Sequence, residues 1–383
     1  LIFFRALIVV RAFFLKTCRN SMDDQYYMKR ALALAKKGEG FVGPNPMVGA
    51  VLVKEGKIIG EGWHKEFGGP HAEVNAIENS SASPEGATLY ITMEPCSHVG
   101  KTPPCTSLVI DSGISRVVAG MQDPNPLVNG RGLQILKNHG IDVIPSCREQ
   151  ECRRLNEVFI KFITTREPFV ILKFAMTIDG KIATVENASR WITGEESRKK
   201  VHRLRNRMSS VMVGADTVIY DDPMLNVRLK GRKGRSPLKI VADSGLRLPL
   251  DARLLVNEPQ LCIIATTGKA DHRKVLELRR MGAVVMICPE KDGHVDLKFL
   301  FSQLGKMEVD SVLIEGGSSL AFSALSEGLV NKVVAFIAPK ILGGAKAPTP
   351  VGGKGIPDMG NAMNLKDMTV RRVKEDLMIE GYL

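Results

Sequence analysis

Aromatic residues make up only 5% of this 383-residue chain, and its formal charge of +12 includes no run of five or more lysines and arginines. A single-strand nucleic-acid platform stacks bases on aromatic side chains, so the composition argues against one. Long apolar runs are also missing. The most apolar stretch, LIFFRALIVVRAFFLKTCRNS over residues 1–21, is broken by Arg5 and Arg11. It falls short of the roughly 20 apolar residues that span a bilayer, and no membrane partner is expected. Cysteines are few and odd in number (18, 96, 105, 147, 152, 262 and 288). Such usage favours metal binding or inert burial over disulfides and fits a reducing compartment, so a cytoplasmic location is expected. Cys262 and Cys288 lie inside apolar runs and read as buried small hydrophobes.

What is present is charge, length and punctuation. Residues 1–21 contain Arg5, Arg11, Lys16 and Arg19 with no acid, which leaves a surplus of +8 for the rest. A basic surplus serves phosphorylated small molecules as well as nucleic acid. An Arg-containing, acid-free start also has the composition of a targeting segment. Met22, however, opens a cleaner sequence, so 1–21 is treated as an extension of unknown role. The apolar and charged fractions, 44% and 25%, are those of a globular protein, and the length suits two domains.

From Asp24 onward, helical and strand patterns alternate. Residues 24–38 have helical spacing ending on Gly38, and 47–63 reads as two strands turning at Glu55-Gly56. Helices over 71–80, 105–113 and 132–140 interleave with strands over 87–94, 116–122 and 141–146. A charged, helical 147–167 is expected to link this 22–146 domain to a second, 168–383. There the alternation resumes with strands at 169–180, 210–216, 238–244, 261–267, 283–289, 311–317 and 332–339, and a last one near 368–375. Helices are expected over 195–209, 272–282 and 318–328. Such interleaving predicts two α/β units with largely parallel interiors.

Chemistry concentrates between Gly68 and Cys105, in GGPHAEVNAI…LYITMEPCSHVGKTPPC. His71 and Glu73 are two apart, so mid-helix they would point roughly 200° away from each other. They converge only at a helix start, and Gly68-Gly69-Pro70 supplies one. Cys105 follows Pro103-Pro104 and also opens a helix, where the macrodipole favours a thiolate. One His and two Cys ligands leave a fourth zinc position open for water, the mark of a catalytic site. Zinc lowers the pKa of a bound water to about 7, and a neighbouring carboxylate can carry the proton to a leaving amine. His-x-Glu followed by Pro-Cys and a second Cys is a nucleobase-deaminase signature. A structural zinc site would need His98 as its local fourth ligand and would make Glu73 a solvated helix residue.

Nucleobase deaminases usually space their cysteines as Cys-x-x-Cys, whereas eight residues (SHVGKTPP) intervene here. That longer segment, with GPNPMVGAVLV and GGPHAEVNA, resembles the bifunctional deaminase/reductases of riboflavin biosynthesis. Lys101 stands where that family often has Arg, keeping the charge but losing the bidentate fork. The resemblance runs over roughly residues 23–383. It implies that His71, Cys96 and Cys105 bind zinc, that Glu73 shuttles the proton, and that Asn45, His64 and Lys101 hold the ring and its ribose phosphate.

The second half lacks G-x-G-x-x-G, so the usual dinucleotide fingerprint is absent. It offers VLIEGGSSLAFSAL instead, a strand, two glycines and two serines before a helix, where exposed amides favour a phosphate. LKFAMTIDGKIA…SRWITGEESR and HRLRNRMSSVMVGADTVIYDDPMLNVR are similar to the reductase half of the same family. The resemblance implies a dihydrofolate-reductase-like fold following a cytidine-deaminase-like zinc domain, and NADPH as cofactor. It implies cofactor contacts at Ala175, Trp191, Thr217, Asp221, Ser244 and the turn Gly317, Ser318, Ser319, Leu320, Ala321, Phe322 and Ser323. Substrate contacts would be Ser189, Arg205, Leu225, Arg228 and Glu315, of which Arg205 and Arg228 suit a ribose phosphate. No reductase acid is legible.

The expectation is therefore an enzyme that deaminates a diaminopyrimidinone ribosylamine 5′-phosphate and then reduces the ribosyl group of the resulting aminouracil with NADPH. Its partner would be that small phosphorylated substrate rather than nucleic acid, and family resemblance suggests a homo-oligomer built on the reductase half. A nucleic-acid-editing deaminase is the contrasting reading, opposed by the cysteine spacing and the Gly-Gly-Ser-Ser turn. A zinc-stabilised scaffold is the non-enzymatic one.

Overall fold

A computed structural model of the chain describes residues 22–97, 104–125, 128–229, 231 and 234–383. The chain divides into two compact units between Thr164 and Thr165. Among the described residues, no helix is long and apolar enough to cross a membrane.

The first unit opens with helix α1 (22–35), whose Met28, Ala31, Leu32 and Ala35 are buried at helical spacing, one apolar stripe facing a sheet. Strands β1 (Gly49–Lys54) and β2 (Lys57–Trp63) form a hairpin. Its turn residues Glu55 and Gly56 both have positive φ, 51° and 76°, the conformation a tight two-residue hairpin demands. Then follow α2 (Ala72–Glu78), β3 (Thr88–Ile91), α3 (Cys105–Asp111), β4 (Arg116–Ala119), α4 (Arg131–Asn138) and β5 (Asp142–Ile144). Helices α5 (Glu149–Leu155) and α6 (Glu157–Thr165) occupy the stretch expected as a linker. The sheet order is β2-β1-β3-β4-β5, antiparallel at β1 and parallel from β3 to β5.

Both faces of this sheet are covered, which explains why β1 is apolar from Gly49 to Val53. Ala50, Leu52, Leu89, Ile91 and Val117 pack under α2, α3 and α4 through Ala76, Val109, Leu133 and Leu136. Val51, Val53, Tyr90 and Val118 alternate onto the other face, against α1 residues and against Cys147 and Cys152. Asp24 joins α1 to the sheet, accepting from Tyr90 Oη at 2.8 Å and from both terminal nitrogens of Arg116.

In the second unit, β6 (Phe169–Thr177) precedes α7 (Glu195–Arg207), β7 (Ser210–Gly214) and α8 (Ala215–Asp221). Next come β8 (Leu238–Ala242), α9 (Arg253–Asn257), β9 (Cys262–Thr266), α10 (His272–Arg280) and β10 (Val284–Ile287). A small hairpin of β11 (Glu290–Lys291) and β12 (His294–Val295) leads to α11 (Leu297–Lys306), β13 (Ser311–Gly316), α12 (Ser318–Ser326) and β14 (Lys332–Ala338). The chain ends in β15 (Lys366–Val373) and β16 (Asp376–Tyr382), a hairpin where the sequence suggested a single strand. The order is β10-β9-β8-β7-β13-β6-β14-β16-β15, parallel as far as β14 and antiparallel beyond it. Leu172, Met212, Ile240, Ile263 and Ile314 form one face of the core with Leu300, Leu304, Leu320 and Ala324 from α11 and α12. Cys262 and Cys288 are buried, as their apolar settings suggested.

Candidate functional site

In the first unit, two helix starts and one strand end meet. His71 is the residue before α2, with extended backbone (φ −71°, ψ 167°), so its ring leaves the helix barrel. Glu73, one residue into the helix, turns inward and is 3% exposed. Cys105 opens α3 behind Pro104. His71 Nδ1 lies 3.2 Å from Cys105 Sγ and 3.6 Å from Cys96 Sγ, and the Cys105 amide donates to Cys96 Sγ at 3.4 Å. All three donor atoms lie within 4.8 Å of one another.

These residues fit zinc. Tetrahedral bonds of usual length separate an N and an S ligand by about 3.6 Å and two sulfurs by about 3.8 Å. The electrostatics agree. Cys105 and His71 draw the Cys96 thiol well below its usual range, while the Cys96 sulfur and burial push Cys105 up. Two adjacent thiols resist ionising together, and a divalent cation between them lets both be thiolates. Beside them, burial raises the Glu73 carboxyl to about 7, suited to passing a proton near neutral pH.

His64 packs edge-on to His71, ring centroids 5.6 Å apart. Its Nδ1 lies 3.0 Å from the Pro70 carbonyl and its Nε2 3.3 Å from Asn45 Nδ2. An Nδ1–H donating to Pro70 leaves Nε2 to accept from the Asn45 amide, and burial lowers the His64 pKa, favouring that neutral ring. Asn45, His64, His71 and Glu73 are thus brought together. Lys101 and His98 lie outside the described residues. Asn156, which the sequence did not single out, holds the same loop: its Oδ1 accepts from the Met47 amide at 2.8 Å and its Nδ2 donates to the Met47 carbonyl at 3.0 Å.

The second unit gathers its candidates at the carboxyl ends of β6, β7, β8 and β13. Gly214 ends β7, and Gly317 follows β13 with φ 93° as the cap of α12. A Cβ on Gly316 would stand 2.8 Å from Thr217 Oγ1, and one on Gly317 3.4 Å from the Gly214 amide nitrogen. Only bare backbone lets these two turns approach so closely. Ser318 and Ser319 open α12, while Leu320 and Ala321 face the core and Phe322 lies where a Cβ on Gly353 would strike it. Ser189 Oγ donates to Asp221 Oδ1 at 2.7 Å, joining an expected substrate contact to an expected cofactor contact. Trp191 is 63% exposed, with the Arg198 guanidinium 4.5 Å over its ring. Ala175 sits in β6 opposite Phe336. Ser244 follows β8, where its hydroxyl accepts from the Val295 amide.

Arg205 and Glu315 form a fork-to-fork pair at 2.5 and 2.9 Å, and Arg205 also donates to the Asn226 carbonyl. Lys173 Nζ lies 3.7 Å from the same carboxylate. Burial alone would raise Glu315, but the Arg205 and Lys173 charges outweigh it and hold the carboxyl below its usual range. The Arg228 amide donates to His202 Nδ1, and burial with the neighbouring Arg205 and Arg228 charges lowers His202 to about 4. With His202 neutral, one carboxylate faces Lys173 and Arg205, and Arg228 lies near enough to Arg205 for the two charges to interact, a surplus suited to an anion. Leu225 is buried and has a positive φ of 51°. Lys173 had a signal in the sequence, a lone charge inside the apolar strand FVILKFAMT; His202 had none.

Residues 21–121 match the cytidine and deoxycytidylate deaminase zinc-binding region, and residues 168–379 match the RibD C-terminal domain. The chain is 46% identical over 361 residues to riboflavin biosynthesis protein RibD of Actinobacillus pleuropneumoniae, covering 94% of this chain and 96% of that one. It is 40% identical to the Escherichia coli (strain K12) RibD protein, covering 94% and 99%. A Thermotoga maritima structure described as a diaminohydroxyphosphoribosylaminopyrimidine deaminase/5-amino-6-(5-phosphoribosylamino)uracil reductase is similar, with TM-score 0.84, 39% identity, and coverage of 95% and 99%. So is Acinetobacter baumannii RibD, form 1, with TM-score 0.84, 36% identity, and coverage of 94% and 99%.

Proposed function

The chain belongs to the RibD family of bifunctional riboflavin-biosynthesis enzymes, and from that premise we propose which of its residues carry out each reaction. It is a deaminase and a reductase, with a zinc-binding deaminase-like domain followed by an NADPH-using reductase domain. The observation that carries the residue assignment is the meeting of His71, Cys96 and Cys105 beside buried Glu73.

His71 Nδ1 and the two thiolates would hold zinc, which when bound would supply an activated water at neutral pH. Glu73 takes the proton on a carboxylate oxygen and returns it to the departing amine. His64, fixed as a donor to Pro70 and an acceptor from Asn45, orients the Asn45 amide so that its carbonyl oxygen can accept from the pyrimidine. Lys101 completes the substrate set at the ribose phosphate.

In the reductase, NADPH when bound would supply the hydride for reduction of the ribosyl group. The Gly316–Gly317 turn, the first-turn amides of α12 from Ser318 to Leu320, and Thr217 would cradle a cofactor phosphate, with Ala321, Phe322 and Ser323 behind them in the helix. Ala175, Trp191, Asp221 and Ser244 complete the cofactor contacts. Arg205, held by Glu315, works with Arg228, Ser189 and Leu225 to orient the phosphorylated substrate. The substrate of the first reaction is then the diaminopyrimidinone ribosylamine 5′-phosphate and that of the second the aminouracil it becomes, not a nucleic acid. The buried free cysteines support a cytoplasmic setting. The β15 edge, with Met368 and Val370 exposed, supports a homo-oligomer built on this unit.

The test follows NADPH absorbance with the diaminopyrimidinone phosphate as sole substrate. Native protein oxidises NADPH; Glu73→Gln does not, yet retains zinc and recovers when the aminouracil phosphate is supplied. NADPH oxidation by Glu73→Gln at the native rate on the first substrate would remove the assignment.

A further inference from the structure

Glu94 lies between the end of β3 and Pro95–Cys96, and none of the chemistry above uses it. It is 4% exposed. Its Oε2 accepts from the Asp123 and Gly130 amides at 3.1 and 2.9 Å, and its Oε1 from the Gly132 and Leu133 amides at 2.8 and 3.3 Å. A buried carboxylate is costly unless its lone pairs are filled, and four donors fill both oxygens. The donors belong to the loop after β4 and to the first turn of α4. That helix is capped by Gly130 (φ 84°), which has no side chain of its own to satisfy them; Glu94 does so from outside.

A second contact is independent of the carboxylate. A Cβ on Gly132 would stand 2.2 Å from the Pro95 carbonyl oxygen, so the start of α4 rests directly on the peptide that precedes Cys96. On the other side of Cys96, the Thr106 amide donates to its carbonyl at 3.2 Å, and the Cys105 amide to its sulfur at 3.4 Å. Cys96 is therefore gripped between two helix starts, with Glu94 as the fastening on one side.

We propose that Glu94 is a positioning residue of the deaminase. By tying the loop and the α4 start to the residue pair before Cys96, it fixes where the Cys96 sulfur meets the metal. This rests on reading His71, Cys96 and Cys105 as the zinc ligands. Glu94→Gln keeps the shape and one acceptor oxygen but presents an NH2 group to two of the four backbone donors.

Zinc affinity measured by competition with a chromophoric chelator should weaken roughly 10- to 100-fold in Glu94→Gln. The visible spectrum of the Co2+-loaded protein should shift as the thiolate geometry changes. NADPH oxidation with the aminouracil phosphate should stay at the native rate, which reports an intact second unit. A role confined to stability would lower the melting temperature and leave zinc affinity and the Co2+ spectrum native, and that result overturns the proposal. Should Glu94→Gln fail to fold, Glu94→Asp, which keeps the charge but shortens its reach to the four amides, makes the same measurement; native affinity there overturns it equally. Native zinc affinity in Cys96→Ser would overturn the ligand reading itself, whereas native affinity in Glu94→Gln alone removes only the role of Glu94.

Discussion

Replacing Glu315 by Gln removes one negative charge from a place where two positive ones face it. The Glu315 side chain is 4% exposed, that of Arg205 14% and that of Lys173 13%. Loss of one member of such a buried group costs about 3–5 kcal/mol, because the surviving charges keep their desolvation penalty. For a unit of this size each kcal/mol moves the melting temperature by about 2–4 °C, so its calorimetric transition should fall by about 6–20 °C. That transition is recognised by its upward shift when NADPH is added. Lys173→Met should cost much less, since burial already lowers the lysine's pKa and the Arg205–Glu315 fork survives. The double variant should recover part of the loss, as one uncompensated cation is gone. If Glu315→Gln leaves the transition within about 2 °C of native, or if the two single losses simply add, the account of this cluster as one charge-balanced group is wrong.

Gly316→Ala drives a methyl group to 2.8 Å from Thr217 Oγ1; it should raise the KM for NADPH roughly 10- to 100-fold while deaminase turnover stays native. Asn156→Ala strips both hydrogen bonds from the Met47 backbone; it should destabilise the first unit by about 2–4 kcal/mol in a denaturant titration and raise the deaminase KM through the displaced Asn45. Glu258 has its pKa lowered chiefly by the hydrogen bond from Lys239. Its stabilising contribution is therefore present above the ordinary carboxylate pKa and lost as pH falls through the lowered folded value. Lys239→Met should flatten that acid limb of the stability profile, which thermal melts between pH 3 and 6 would read.

The cluster of His71, Cys96 and Cys105 was legible because its chemistry is local: each sits at a proline-marked helix start or strand end, so spacing and punctuation locate it without knowledge of the fold. The alternation of strands and helices was legible for the same reason, since the burial period is written residue by residue. Helices α8, α9 and α11 and the β16 strand were not. α8 and α9 are seven and five residues long with no side-chain cap, and β16 alternates too weakly for its period to stand out; α11 has a cap, Asp296 accepting from the Phe299 amide, and was missed all the same. Asn156 was illegible because its partner is 109 residues away and nothing near it forces an asparagine. Glu94 is intermediate. Its neighbours Pro95 and Cys96 advertise the place, but the four amides it collects come from a loop that only the folded sheet brings near.

Residues 149–165 bear on how the protein can be taken apart. Cys147 and Cys152 belong to the same buried cluster as Met28 and Val118, and Asn156 closes the loop that presents Asn45. A gene truncated after residue 146 would therefore encode a deaminase with that face of its sheet covered by α1 alone and its Asn45 loop unfastened. Anyone cloning that half for separate study, or exchanging it between relatives, should carry the reading frame through Thr164 and let the other half begin at Thr165.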